Sequence, residues 1–236
     1  MKILAVDTSG PNCSVAIIDE EKVLANFSLN IGITHSQTLM PLVDELCKMS
    51  NISLNDIDAF TCSIGPGSFT GLRIGIATIK GFALSLNKPV VPVSSLLGLA
   101  YNIPTFDGLI CSILDANNDN VYAALYRMNN EPEMFGDYFT ESIDDLISNL
   151  KNLNQKILFV GSGALSFKEK LQENLSDNAF FVPHHLNEQS AVSIARAAMD
   201  RALKNEFETC DNLHPLYLRK SQAERMLDKN ERNNNN

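Results

Sequence analysis

Apolar and polar positions along the first hundred residues follow two alternating rhythms. Residues 2–7 (KILAVD), 13–18 (CSVAII) and 22–29 (KVLANFSL) read as strands. The first two are joined by a turn rich in Thr, Ser, Gly, Pro and Asn, and the third follows the acidic turn Asp19-Glu20-Glu21. Three strands at this spacing predict an antiparallel meander. Leu39, Leu42, Val43 and Leu46 then recur with helical spacing and give one apolar face. Thr34 followed by Gln37 predicts a reciprocal cap at the start of that helix. A buried strand over 57–64 runs into Gly65-Pro66-Gly67, a second helix spans about 69–86, and a strand at 89–93 leads to a short helix from Ser94.

A weaker copy of the same order follows. Residues 109–115 and 121–127 predict a hairpin and 133–139 a third strand, and after them come a helix at 142–150 and a strand at 156–160. A helix after Gly163, a strand at 179–182 and a helix at 190–203 complete the copy. The chain is thus expected to form two α/β lobes, residues 1–104 and 105–220, with a polar tail at 221–236. Leu213–Lys220 is expected to be extended and to dock on a lobe, and the closing NERNNNN to fray.

Composition narrows the function classes. Of 236 residues, 44% are hydrophobic and 20% charged, enough apolar material for a packed core. The formal net charge of -9 disfavours a phosphate backbone, so any nucleic acid is expected to be reached through another molecule. No run of about 18 consecutive apolar residues is present and the N-terminus reads as a strand, so no membrane contact is expected and the chain is placed in the cytoplasm. The five cysteines are scattered without a CxxC pair and read as buried thiols.

Two Gly/Ser/Thr turns carry the candidate chemistry. Asp7, Thr8 and Ser9, before Gly10, could present backbone amides to a phosphate. Gly65, Gly67 and Ser68 join a buried strand to a helix N-terminus, another place for an anion. The second turn lacks the GK[ST] of a P-loop. In the following helix, Gly71, Gly75, Thr78, Gly81 and Ser85 share one side, apart from Leu72, Ile76, Ile79 and Leu86. An interior Gly costs a helix about 1 kcal/mol, so the stripe implies close approach of another backbone. That neighbour is either a partner protein or the 34–49 helix of the same lobe. On the first reading, Gly75→Leu blocks association and spares the fold. A competing function, a small ATPase or kinase, draws on Asp7 and on Val160-Gly161-Ser162-Gly163-Ala164 as a cover for adenine. No HExxH is present to support a metalloprotease.

The segments ILAVDTSGPNCSVAI, THSQTLMPLVDEL, IGPGSFTGLRIGIATIKGFA and KPVVPVSSLLGLA resemble the TsaB (YeaZ) family across residues 2–101. Ile113–Tyr122 and Pro215-x-Tyr217-Leu218-Arg219 agree more loosely. The resemblance implies a two-lobed actin-like (ASKHA) fold with ribonuclease-H-like lobes. It further implies a non-catalytic subunit supporting TsaD, a larger paralogue that makes threonylcarbamoyladenosine in tRNA. The association surface would then be the first-lobe helices, through His35, Leu39, Gly71, Gly75, Thr78 and Phe82. TsaE would join a larger complex, a homodimer would form in TsaD's absence, and tRNA would be met only through the complex. No cofactor would be tightly bound, and ATP or ADP would sit at shared surfaces. The HxxxH metal ligands of the paralogue correspond here to Ser95 and Leu99, so no metal site and no catalytic residue is carried over. The family's basic pair after Asp115-Ala116 is replaced by Asn117-Asn118-Asp119-Asn120, which puts any anion-binding duty there in doubt.

Overall fold

The computed structural model describes residues 1–218. The first sheet is built from β1 (Ile3–Asp7), β2 (Cys13–Ile18) and β3 (Val23–Leu29), an antiparallel meander as the spacing predicts. Helix α1 (His35–Ser50) leads to β4 (Ala59–Ser63), helix α2 (Phe69–Leu86) and β5 (Val90–Val93), with β4 and β5 parallel to β1. The strand order is β3-β2-β1-β4-β5. After α3 (Ser95–Ala100), the plan repeats: β6 (Leu109–Asp115), β7 (Asn120–Met128), β8 (Pro132–Met134), β9 (Phe139–Ser142), α4 (Ile143–Lys151), β10 (Ile157–Val160), α5 (Ser162–Ser166), α6 (Lys168–Leu175), β11 (Ala179–Phe181) and α7 (Ala191–Leu203). The second sheet runs β11-β10-β6-β7-β8, and β9 also pairs with β7.

Three differences from expectation are local. The expected third strand at 133–139 is split into β8 and β9, which pair with opposite ends of β7. Gly136 at φ +86° turns the chain between them. The helix expected after Gly163 is two short helices that break at Phe167. At α1 the Thr34 hydroxyl bonds the Gln37 side chain (3.0 Å) and caps no backbone amide, so the reciprocal cap is absent. Asn51 in left-handed conformation ends α1, its amide returning to the Cys47 and Lys48 carbonyls.

Each sheet buries both faces. One face of the first sheet (Leu4, Val6, Val15, Phe60) packs on α1 and α2. Its other face (Ile3, Ala5, Ala16, Val91) packs on α7, through Ile194, Ala195, Ala198 and Met199. The second sheet holds α4, α5 and α6 on one face, and α3 on the other through Leu96 and Leu99. Helices α3 and α7 touch between the sheets. The two halves have therefore exchanged covering helices: α3 precedes the second sheet in sequence and covers it, while α7 follows that sheet and covers the first. The segment 213–218 docks on the first lobe, with Leu213 in the α1/α2 core and the Leu216 amide on the Ile64 carbonyl (2.7 Å). Positions 219–220 of the expected docking segment, and the tail at 221–236, lie outside the described residues. Burial in these cores pushes the Cys62 and Cys111 thiols well above their ordinary range.

Candidate functional site

The turn after β1 and the turn before α2 meet and bond to each other. The Ser68 amide donates to the Ser9 carbonyl (2.8 Å) and the Thr8 hydroxyl donates to the Gly71 carbonyl (2.8 Å). The contact is too close for side chains: a Cβ on Gly67 would lie 2.3 Å from the Ser9 oxygen, and one on Gly71 2.0 Å from the Thr8 oxygen. Gly65 is held from the other side, its carbonyl accepting the Ser95 amide (2.8 Å). The Ser68 hydroxyl caps α2 by accepting from the Gly71 amide (3.2 Å).

Asp7, Thr8 and Ser9 are all buried. Asp7 Oδ1 accepts from the Ser9 amide (2.9 Å) and the Ser9 hydroxyl (2.6 Å). Burial pushes the Asp7 carboxyl above its ordinary range against the opposing pull of these bonds. Gln189 closes the turn from the second half of the chain. Its Nε2 donates to Ser9 Oγ (3.3 Å), and a Cβ on Gly10 would sit 2.1 Å from its Oε1. A phosphate at this turn would meet a buried carboxyl and a side chain already in place. Likewise Gly161 and Gly163 of the candidate adenine cover are close-packing positions. A Cβ on them would lie 2.4 Å from the Ile113 oxygen and 2.8 Å from Ile113 Cγ1, respectively. The Gly161 amide is engaged by Asn187 Oδ1 (2.9 Å).

The expected association residues divide into two groups. Leu39, 1% exposed, belongs to the core under α1. Gly71 and Gly75 are buried: a Cβ on Gly71 would meet the Thr8 carbonyl oxygen and His35 Cδ2, and one on Gly75 the Thr8 hydroxyl. All three are buried within the chain where an exposed face was expected, and the small-residue stripe of α2 faces inward at its N-terminal half. Thr78 and His35 are half-buried, and Phe82 is half-buried with its ring tilted on Phe60 at 5.8 Å. His35 Nε2 donates to the Gly10 carbonyl (2.9 Å), a bond that fixes the tautomer because a carbonyl only accepts.

The outward face of α2 is Thr70, Arg73, Ala77, Gly81 and Leu84, at helical spacing. Leu84 is 63% exposed, and a Cβ on Gly81 would meet nothing within 4 Å. Beside it, α1 and the segment before it expose Met40 (49%) and Ile33 (48%). Sequence reasoning missed Ile33, Met40, Ala77 and Leu84. The signal that could have found them is the apolarity of α2 on all sides, which a helix with only one covered face does not require. Its mean hydropathy over 18 residues is 1.2, yet only 33% of them are buried. By length and composition alone α2 could cross a membrane; here it carries Arg73 and Lys80 and packs on the first sheet. Arg73 is held across the Phe69 ring (4.1 Å) and donates to the Tyr217 hydroxyl (3.0 Å), while Tyr217 stacks on Phe69 (4.5 Å).

At the positions matched to the paralogue's metal ligands, the Ser95 hydroxyl bonds Ser63 (2.6 Å) and Leu99 lies in the α3 core. No cluster of three His, Cys, Asp or Glu side chains suited to a metal occurs among the described residues.

Known proteins give the arrangement its context. The family model described as TsaD, tRNA N6-adenosine threonylcarbamoyltransferase, matches residues 22–227. The tRNA threonylcarbamoyladenosine biosynthesis protein TsaB of Bacillus subtilis is 33% identical, over 95% of this chain and 96% of its own. The chain belongs to the TsaB family. A Pseudomonas aeruginosa crystal structure, described as similar to peptidase YEAZ, superposes with a TM-score of 0.81 at 26% identity and covers 92% of the TsaB-family chain and 99% of its own. A ROK hexokinase from Thermus thermophilus matches at a TM-score of 0.51 and 10% identity, over 86% of this chain and all (100%) of its own, which shows the fold alone. The TsaB-family chain thus has the two-lobed actin-like fold that its repeated strand order suggests.

Proposed function

We propose that this chain is a non-catalytic subunit of a tRNA threonylcarbamoyladenosine-forming complex and binds a TsaD-type transferase through the outward face of α1 and α2. The observation that carries the reading is the set of exposed apolar and small residues on the first-lobe helices: Ala77, Gly81 and Leu84 on α2, Met40 on α1 and Ile33 just before it. Small residues let a partner helix approach closely, and the apolar rim supplies the burial that drives association. The family model's description names the transferase, and the curated Bacillus subtilis relative is named for the same modification. Ser95 and Leu99 at the ligand positions support the absence of catalysis by this chain. The mutual bonding of the turns at 7–10 and 65–68, with Gln189 over Gly10, leaves no open phosphate cradle there, so a nucleotide (ATP or ADP) would be held at surfaces shared in the complex. TsaE joins that assembly, and tRNA is met only within it. Without a transferase, a second copy of the chain covers the same face.

The test is the solution mass of the chain, of its cognate TsaD-type transferase and of their mixture. A species at the summed mass, or a multiple of it, is expected. Separate peaks with and without nucleotide would return the chain to the stand-alone ATPase or kinase alternative.

A further inference from the structure

An open cleft of about 400 Å³ between the lobes is lined in part by Asn12, Ser28, His185, Glu188 and Ser190. Its volume lies in the range of roughly 300–1,000 Å³ that small-molecule sites occupy. Asn12 is 3% exposed, and its Nδ2 donates to the Gln189 backbone carbonyl. That bond fixes the amide's orientation, so the remaining Oδ1 can only accept. Among the described residues this buried oxygen has no partner. An unmatched buried acceptor has given up its water without a replacement bond, so the site favours a ligand that brings a donor.

Two further amides beside the cleft are already engaged. Asn102 Nδ2 donates to the Leu186 and Glu188 carbonyls (2.7 and 3.0 Å), and its Oδ1 accepts from Ser193. Gln189 Nε2 donates to Ser9. The half-buried Glu188 carboxylate has no ion-pair partner among the described residues. Among the described residues, no Lys or Arg lines the cleft, and His185 is its one basic side chain. Besides the Asn30 amide, two hydroxyls and the His185 imidazole, the cleft offers an unmatched amide oxygen and a negative charge.

We propose that this cleft binds a small protonated primary amine, its ammonium held by Asn12 Oδ1 and the Glu188 carboxylate. An ammonium carries three donors and no acceptor, the complement of the Asn12 oxygen and the Glu188 carboxylate. A phosphate or carboxylate ligand would face Glu188 and leave Asn12 Oδ1 unmatched; a neutral diol would lack the charge-assisted bond.

Calorimetric titration with putrescine, against 1,4-butanediol of the same chain length, tests the assignment. Putrescine binds and butanediol does not. Glu188→Gln weakens putrescine by about tenfold or more, with an unchanged melting temperature. A crystal structure grown with putrescine places a nitrogen within hydrogen-bond distance of Asn12 Oδ1. Equal binding of diol and diamine, an unaltered affinity in Glu188→Gln, or water alone at Asn12 would each overturn the proposal.

Discussion

A Cβ built on Gly75 would lie 2.5 Å from the Thr8 hydroxyl oxygen, the same hydroxyl that donates to the Gly71 carbonyl. The first two turns of α2 are therefore pinned to the loop after β1, and Gly75→Leu acts on the fold before it acts on any partner. It is expected to destabilise the chain by about 1–3 kcal/mol, the usual cost of overpacking, or to prevent folding. Gly81→Ala, with open space at its Cβ, gains up to about 1 kcal/mol of helix stability. Denaturant melts of the two variants check both signs, and a Gly75→Leu protein as stable as wild type would refute the packing account.

Leu84→Asp places a charge on the outward α2 face, where the wild-type side chain is mostly in solvent. The isolated variant is expected to melt within about 0.5 kcal/mol of wild type, as surface substitutions do. Co-elution with the TsaD-type transferase is expected to disappear. Retained co-elution would move the association surface elsewhere.

The Asp7 carboxyl, pushed up by burial, gives stability an unusual pH dependence. Its folded-state pKa exceeds the unfolded one, so its contribution is complete below the unfolded value, near 4, and is lost as pH rises through the folded one. Asp7→Asn keeps an oxygen to accept from Ser9 and removes the charge. Its melting temperature is expected to exceed wild type at neutral pH, with the difference shrinking toward pH 3. Parallel melts at the two pH values decide it; a destabilised variant at neutral pH would show that the charge is needed.

Tyr217→Ala removes the stack on Phe69 and the acceptor for Arg73 Nε. An aromatic pair contributes about 0.5–1.5 kcal/mol beyond its area. Amide exchange at Leu216, bonded to the Ile64 carbonyl, is expected to speed up roughly tenfold while the β1 and β4 amides stay protected. Uniform acceleration would mean that the segment is part of the global core.

Most elements were legible because their periods are strong. The meander, α1, β4, α2 and β5 lie within a residue or two of the expected spans. The inward or outward sense of the glycine stripe was not legible. A run of small residues announces close approach, yet the approaching backbone is the Thr8 turn, more than sixty positions away in sequence. Leu39 illustrates the converse, since its helical spacing with Val43 and Leu46 already assigned it to the core under α1. The cleft's chemistry was equally hidden, because Asn12 and Glu188 are brought together only by the docking of α7 and the segment before it.

The exchange of α3 and α7 also bears on synthesis. Residues 1–100 leave the ribosome with Ile3, Ala5, Val91 and Val93 still lacking the helix that covers them, since α7 begins at Ala191. At ordinary elongation rates that interval lasts roughly 5–20 s. A nascent sheet with one greasy side bare for so long is a natural client for a chaperone, and a gene cut between the halves would yield two insoluble fragments rather than two domains.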